Sequence, residues 1–414
     1  MNIKSYLTNL KPSSTLVINE QSKEMERQGK EVIKFGFGQS PFPVPNNITE
    51  ELKKHASQKD YLPVKGLLSL RKAIHADLLR KSLNHYSVDN IFVGPGTKQL
   101  MFLLQLAFDG DIILPAPSWV SYDPQAMIAK NKVHWVQTRI ENNWHVTSQD
   151  IEEVLKICTA KNKLIILNTP NNPSGTNAHN LQELAKKFKE HDIIVLSDEI
   201  YSDLTFKGSY HSIASFYPER TIISNGLSKW CGAGGWRLGY FAIPDLLKDL
   251  DDKMQVIASE AYSSASAPIQ YAAVVAYDSD QKEFLDNSKK ILQTISDYCF
   301  KKLNTNSISV KEPEGGFYIM PDFTELLKHK FNSSSTMCSQ LLLDTGVAVL
   351  PGSDFGFPES QLLFRLSFVD FDGAKFLQYA KDKHSLTEQD IQQFAPKVIN
   401  GIKKILDWAG KMSA

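Results

Sequence analysis

Short, unbroken apolar runs, each followed by residues that can carry chemistry, constrain this chain more than any other feature. The runs are Ile91-Phe92-Val93, Ile112-Ile113-Leu114, Leu164-Ile165-Ile166-Leu167, Ile193-Ile194-Val195-Leu196, Thr221-Ile222-Ile223 and Tyr240-Phe241-Ala242-Ile243. Half-exposed strands alternate in polarity; strands covered on both faces are continuous, as here. Helix-like stretches lie between several runs. Residues 97–108 space Leu100, Leu103, Leu104 and Ala107 along one helical face, and residues 180–191 do the same with Leu181, Leu184, Ala185 and Phe188. Strands alternating with helices predict an α/β fold, a mostly parallel sheet with helices on both faces. Helical patterns at 22–29 and 67–79 precede this block. A long one at 282–303 follows it, and then come short strands at 316–320, 347–350 and 363–368 mixed with helices. The polar stretch 332–336 reads as a surface loop. The expected organisation is a large domain over residues 46–284, a smaller α/β C-terminal domain over 285–414, and an N-terminal segment, 1–45, packing with the small domain.

Composition removes several classes of function. Lys plus Arg and Asp plus Glu number 46 each, so the chain has no long-range pull toward nucleic acid or an anionic membrane. Cys158, Cys231, Cys299 and Cys338 are scattered, without C-x-x-C spacing, so buried reduced thiols are expected rather than a disulfide framework or a zinc site; no metal is expected. Residues 1–16 lack the apolar core of a secretory signal, and no run reaches the ~18 apolar residues that span a bilayer. A soluble cytoplasmic protein is the expectation.

Ligands of open parallel sheets bind beyond the carboxyl ends of the strands. Those ends carry Gly94-Pro95-Gly96-Thr97-Lys98, Pro115-Ala116-Pro117-Ser118-Trp119, Asn168-Thr169-Pro170-Asn171-Asn172-Pro173-Ser174-Gly175, Ser197-Asp198-Glu199-Ile200-Tyr201 and Ser224-Asn225-Gly226-Leu227-Ser228-Lys229. The first is a Gly-rich turn opening a helix, where free N–H groups and the helix dipole suit a phosphate. It has neither the Walker spacing nor G-x-G-x-x-G, so a nucleotide is not indicated, and taken alone it is equally a plain strand–helix turn. Lys229 is the strongest feature. A lysine among small residues after a buried strand is poorly placed for a surface charge, and desolvation there would expose a nucleophilic amine. Arg237 follows eight residues later in Gly234-Gly235-Trp236-Arg237-Leu238-Gly239-Tyr240 and offers a fork for phosphate.

Together these segments resemble the class I aminotransferases of fold type I, with the bacterial-type aspartate aminotransferases the nearest pattern. The resemblance runs from Pro12-Ser13-Ser14-Thr15 through Asn171-Asn172-Pro173-Ser174-Gly175 and the lysine signature to Phe364-Arg365-Leu366-Ser367. It implies pyridoxal 5′-phosphate as cofactor. Lys229 would hold it as a Schiff base and shuttle the proton, and Asp198 would pair with the ring nitrogen. Tyr201 and Asn172 would bond the ring oxygen, and Trp119 would stack on the ring. Gly96, Thr97, Lys98, Ser228 and Arg237 would surround the phosphate. Tyr61, in Asp60-Tyr61-Leu62-Pro63, would reach the phosphate of a neighbouring subunit, which implies a homodimer. Arg365, with Gly38 and Asn172, would bind the substrate α-carboxylate. The same resemblance places Lys98, Ser13 and Thr15 around a distal carboxylate, favouring aspartate or glutamate in a ping-pong exchange with a 2-oxo acid.

Alternatives stay open at this stage. A bland alternative for Lys98 is that it simply caps a helix or faces solvent. Relatives carry a hydroxyl residue three positions before the lysine, where this chain has Gly226. Neutral or aromatic amino donors, or a lyase of the same fold, would use much the same parts. A cofactor-sensing regulator would carry a DNA-binding domain ahead of this fold, and the fold's motifs begin at Pro12, so an enzyme is expected.

Overall fold

The apolar runs fold into strands covered on both faces. The computed structural model describes residues 3–8, 10 and 14–413. Among these residues the strands are β1 (Ile33–Lys34), β2 (Ile91–Gly94), β3 (Asp111–Ala116), β4 (Val133–Gln137), β5 (Lys163–Asn168), β6 (Ile194–Asp198), β7 (Thr221–Gly226), β8 (Gly239–Ala242), β9 (Tyr318–Ile319), β10 (Val347–Ala348), β11 (Leu350–Pro351) and β12 (Phe364–Ser367). Seven of them form one sheet in the order β2-β8-β7-β6-β5-β3-β4. All neighbours in it are parallel except β8, which lies antiparallel between β2 and β7.

Successive side chains serve opposite faces, as the period of two requires. Phe92, Ile112, Leu114, Ile166, Leu196, Ile222 and Phe241 pack with Leu100, Leu104 and Met254 of helices Thr97–Ala107 and Lys248–Ala261. Ile113, Ile165, Leu167 and Val195 face the other way, onto Leu181, Leu184 and Phe188 of helix Leu181–Glu190. Each such side chain contributes roughly 1.5–3 kcal/mol by leaving water. The run-based reading omitted β4. As the edge strand its burial alternates, and Val133, Trp135 and Gln137 stay partly or fully exposed, so it has no continuous apolar run to find.

The antiparallel placement of β8 has a consequence for the site. β7 ends and β8 begins at the same edge of the sheet, so the whole connection from residue 227 to 238 stays at the carboxyl end, with Lys229 and Arg237 in it. Gly226 pairs with Gly239 there, and a Cβ on Gly226 would sit 2.7 Å from the Gly239 Cα. The glycine that departs from the family pattern is therefore required by a close backbone approach.

A second, antiparallel sheet has the order β11-β12-β9 and carries Arg365 at its centre. β1 pairs with β10, tying the segment that follows helix Ser14–Arg27 to the C-terminal part of the chain. Helix Lys282–Leu303 links the two regions. The expected loop at 332–336 is corrected by the structure: helix Ser334–Thr345 begins inside it. The Ser333 hydroxyl accepts from the Thr336 amide and Ser334 is fully buried, so these polar residues start a helix.

Candidate active site

Six strands run the same way and bring their carboxyl ends to one edge of the sheet, and five of them, β2, β3, β5, β6 and β7, lead into the expected groups. At the β2 end, Gly96 has φ +89°, and a Cβ on it would collide with the Arg237 guanidinium. Across from it, a Cβ on Gly239 would lie 2.6 Å from the Thr97 amide nitrogen. The Gln99 and Leu100 amides turn back to the Gly96 carbonyl, which leaves Thr97 and Lys98 at the open end of helix Thr97–Ala107. Arg237 itself is held in the left-handed region at φ +57°, and its Nη1 donates to the Gly234 carbonyl at 2.8 Å. A non-glycine residue in that region is costly and recurs at functional sites. Burial, and then the Arg237 charge, hold Lys98 below the usual lysine range, although part of its side chain reaches solvent. Ser228 is half-buried beside Lys229.

Trp119 stands over the middle of the crevice. The Lys98 Nζ lies 5.3 Å from its ring centroid, and Tyr122 meets it edge-on at 5.5 Å. Tyr122 was not anticipated, and it is the group that holds Asp198. Its hydroxyl donates to Asp198 Oδ2 at 2.6 Å, with both residues buried. Asp198 Oδ1 is buried without a hydrogen-bond partner. Burial pushes the Asp198 carboxyl up to about 6, against the opposing pull of Tyr122, the Ile200 amide and the Lys229 charge. Tyr122 opens helix Tyr122–Ala129 three residues after Trp119, with its amide donating to the Trp119 carbonyl; nothing local in the sequence marks its role.

Lys229 is half-buried and donates from Nζ to the Gly38 carbonyl at 2.7 Å. Its ammonium sits 5.7 Å and 5.6 Å from the ring centroids of Tyr201 and Phe317. The Tyr201 hydroxyl shares a 2.8 Å hydrogen bond with that of Tyr318, and both side chains are buried. Arg365 is 2 % exposed, donating to Asn172 Oδ1 at 3.1 Å and to the Gly36 carbonyl at 2.6 Å. Its guanidinium carbon lies 4.7 Å from the Tyr318 ring centroid and 5.3 Å from that of Phe355, and burial lowers its pKa. Asn172 is set in place by its amide, which donates to Asn168 Oδ1 at 2.7 Å.

Some expected residues do not join this cluster. Tyr61 is 90 % exposed on the loop before helix Leu68–Arg80. Ser13 and the side chain of Thr15 lie outside the described residues. Away from the crevice, Asp111, His134 and Cys158 have ligand-type atoms within 4.8 Å of one another. Cysteine spacing gave no hint of this grouping; His134 Nε2 and Asp111 Oδ2 are already hydrogen-bonded there at 2.9 Å. All four cysteines are free and buried. Among the described residues, no helix is long and apolar enough to cross a membrane.

Comparison with known proteins agrees with this geometry. The family description "Aminotransferase class I and II" matches residues 30–374. The aspartate aminotransferase of Bacillus sp. (strain YM-2) is 34 % identical over 373 residues, covering 87 % of this chain and 93 % of its own. The aspartate/prephenate aminotransferase of Cereibacter sphaeroides is 31 % identical over 386 residues, covering 88 % and 94 %. The crystal structure of the aspartate aminotransferase from Rhizobium meliloti superposes with a TM-score of 0.83 at 27 % identity, covering 98 % of this chain and 99 % of that one. With the sheet order, the lysine-bearing β7–β8 connection and these likenesses agreeing, the chain belongs to the class I and II aminotransferases, of fold type I.

Proposed function

We propose that this aminotransferase binds pyridoxal 5′-phosphate in the crevice and exchanges an amino group between aspartate or glutamate and a 2-oxo acid. The observation that carries the cofactor reading is Asp198 Oδ1. A buried carboxylate oxygen without a partner, on a carboxyl pushed up to about 6, is a site that a cationic N–H donor would complete. The opposite end of the crevice fits equally well. Gly96, Thr97 and Lys98 at a helix N-terminus, with the Arg237 guanidinium against Gly96 and Ser228 beside Lys229, would supply the donors for a dianion. Trp119 provides a flat face between the two ends. When bound, the cofactor's protonated ring draws off the electron pair left on the substrate α-carbon.

The chain's own residues would do the rest. Asp198 keeps the ring nitrogen protonated. The Lys229 amine would hold the cofactor and, when free, would take the substrate α-proton; the cofactor would supply the group-carrying chemistry that makes the two half-reactions ping-pong. Tyr201 and Asn172 donate to the ring oxygen. Arg365 binds the α-carboxylate, beside the Gly38 backbone. Asn172 and Gly36 are neutral acceptors for this buried cation and its Nε lacks a hydrogen-bond partner, so a carboxylate there gains a charge-assisted pair beside the nearby Asp354 charge. Lys98, with Ser13 and Thr15, would face a second carboxylate. Tyr61 would complete the phosphate site of a partner in a cytoplasmic homodimer; its 90 % exposure on one chain fits that placement, and four free, buried thiols fit a reducing compartment.

A panel of amino donors against 2-oxoglutarate tests the substrate reading, with prephenate added as an acceptor because one relative is named for it. Aspartate should exceed alanine and phenylalanine in kcat/KM by at least tenfold, and Lys98→Ala should erase most of that margin. Equal losses for alanine and aspartate would remove the distal-carboxylate role. Release of ammonia without any oxo acid would favour a lyase. Mixing Tyr61→Ala with Lys229→Ala protein tests the dimer. Each variant alone is impaired, and random re-pairing should restore roughly a quarter of the wild-type sites.

A further inference from the structure

Tyr318 enters the sequence pattern only as part of a short strand, yet three parts of the site meet on it. Its ring lies under the Arg365 guanidinium, 4.7 Å from centroid to carbon. Its hydroxyl is 2.8 Å from that of Tyr201. The same hydroxyl fills the space a Cβ on Gly38 would need, and the Gly38 carbonyl is the acceptor for Lys229. The residue is 1 % exposed and its backbone is fixed from two sides. β9 pairs with β12, setting Tyr318 opposite Ser367, and the Tyr318 carbonyl lies 2.5 Å from where a Cβ on Gly175 would be.

We propose that Tyr318 is a positioning residue that joins the substrate-carboxylate arginine to the tyrosine facing the cofactor. This rests on the roles proposed above for Arg365 and Tyr201. Ring and hydroxyl act separately. The ring face supports the guanidinium of a cation that has no room to move, holding it level for a carboxylate. The hydroxyl donates to the Tyr201 oxygen, which frees the Tyr201 proton for the cofactor's ring oxygen and makes it a stronger donor, because hydrogen bonds in a chain polarise one another. A strong donor at that oxygen draws charge away from it and weakens the hold of the neighbouring nitrogen on its proton.

Two substitutions separate these effects in the cofactor-loaded enzyme. Tyr318→Phe keeps the ring and removes the hydroxyl. The pH midpoint of the bound cofactor's visible absorbance should move up by roughly half a unit, while KM for aspartate stays within about twofold, since the cation–ring contact remains. Tyr318→Leu removes both, and should add a KM increase of about tenfold. Tyr201→Phe should move the midpoint further than Tyr318→Phe. The double variant Tyr201→Phe/Tyr318→Phe should then match Tyr201→Phe alone, because the hydroxyl has nothing left to act through. An unmoved midpoint in Tyr318→Phe, or additive shifts in the double variant, overturns the link while Tyr201→Phe still shifts. A silent Tyr201→Phe instead overturns the underlying role of Tyr201, and the link with it. Absorbance reports on bound cofactor directly, so a variant that fails to fold is recognised by the absence of the signal.

Discussion

The two ends of the crevice solve opposite electrostatic problems. At the sheet end, Tyr122 holds Asp198 Oδ2 but Oδ1 has no hydrogen-bond partner, and Lys98 sits in the field of Arg237. At the end built by the small sheet, the buried cation Arg365 is only partly satisfied, with Nε lacking a hydrogen-bond partner. Arg365 is bonded to Asn172 and Gly36 and lies against the rings of Tyr318 and Phe355. At Asp198 Oδ1, the first arrangement gains from a cationic donor without breaking a protein contact. The second keeps its Asn172 and Gly36 bonds and still has Nε without a hydrogen-bond partner, so a carboxylate there can add to them. The contrast is one of sign: an anionic oxygen open to a cationic donor at the sheet end, and a cation with a spare donor open to a carboxylate at the other, which fits a cofactor ring nitrogen and a substrate carboxylate.

Substitutions can break this contrast. Lys229→Ala should abolish the covalent cofactor signal and lower turnover by at least ~10⁴-fold, since attachment and proton transfer are both lost; full activity in that variant would falsify the mechanism. Arg365→Ala should lower kcat/KM for aspartate by roughly 10²–10³-fold through the lost charge-assisted pair, with the cofactor still bound. Loss of cofactor in that variant would mean that the ends are not separable. Gly96→Ala should do the reverse. Its methyl group must displace the Arg237 guanidinium in a backbone region hostile to L residues, so cofactor affinity should fall about tenfold or more with KM for aspartate little changed. Equilibrium dialysis of cofactor beside initial-rate kinetics measures both.

The same contrast governs what could be read in advance. The sheet end is built from local motifs: each group follows its strand within a few residues, and parallel strands bring their ends together without further information. Lys229, Asp198, Asn172, Trp119 and Arg237 were legible for that reason. Edge strand β4 escaped because its alternating burial leaves no apolar run. The helix start at Ser334 escaped because capping serines resemble loop residues. Tyr318 depends on pairing between β9 and β12 and on contacts with residues 38, 201 and 365, all distant in sequence. A tyrosine in a buried strand carries no local mark of such contacts. Tyr122 is intermediate: its helix was not singled out, and its role follows only once β3 and β6 are placed in one sheet.

Asp198 offers the finest test of the unpaired end, through the stability of the cofactor-free protein. Its carboxyl is raised from an ordinary 3.8 to about 6 in the folded chain, chiefly by burial. The folded state therefore holds this proton more tightly than the unfolded state. The resulting stabilisation is fully present below pH ~4 and is lost as pH rises through ~6. Asn is of similar shape and does not titrate. Asp198→Asn apoprotein should match wild-type apoprotein near pH 4 and exceed it above pH 6, by a few degrees in Tm. Adding cofactor should reverse the order at pH 8, because a cationic partner at Oδ1 favours the ionised aspartate and has no equivalent hold on the amide. Scanning Tm of both proteins, with and without cofactor, at pH 5 and pH 8 reads the effect. A wild-type advantage at pH 8 in the absence of cofactor would mean that Asp198 already has its counter-charge within the chain, and the contrast between the two ends would disappear.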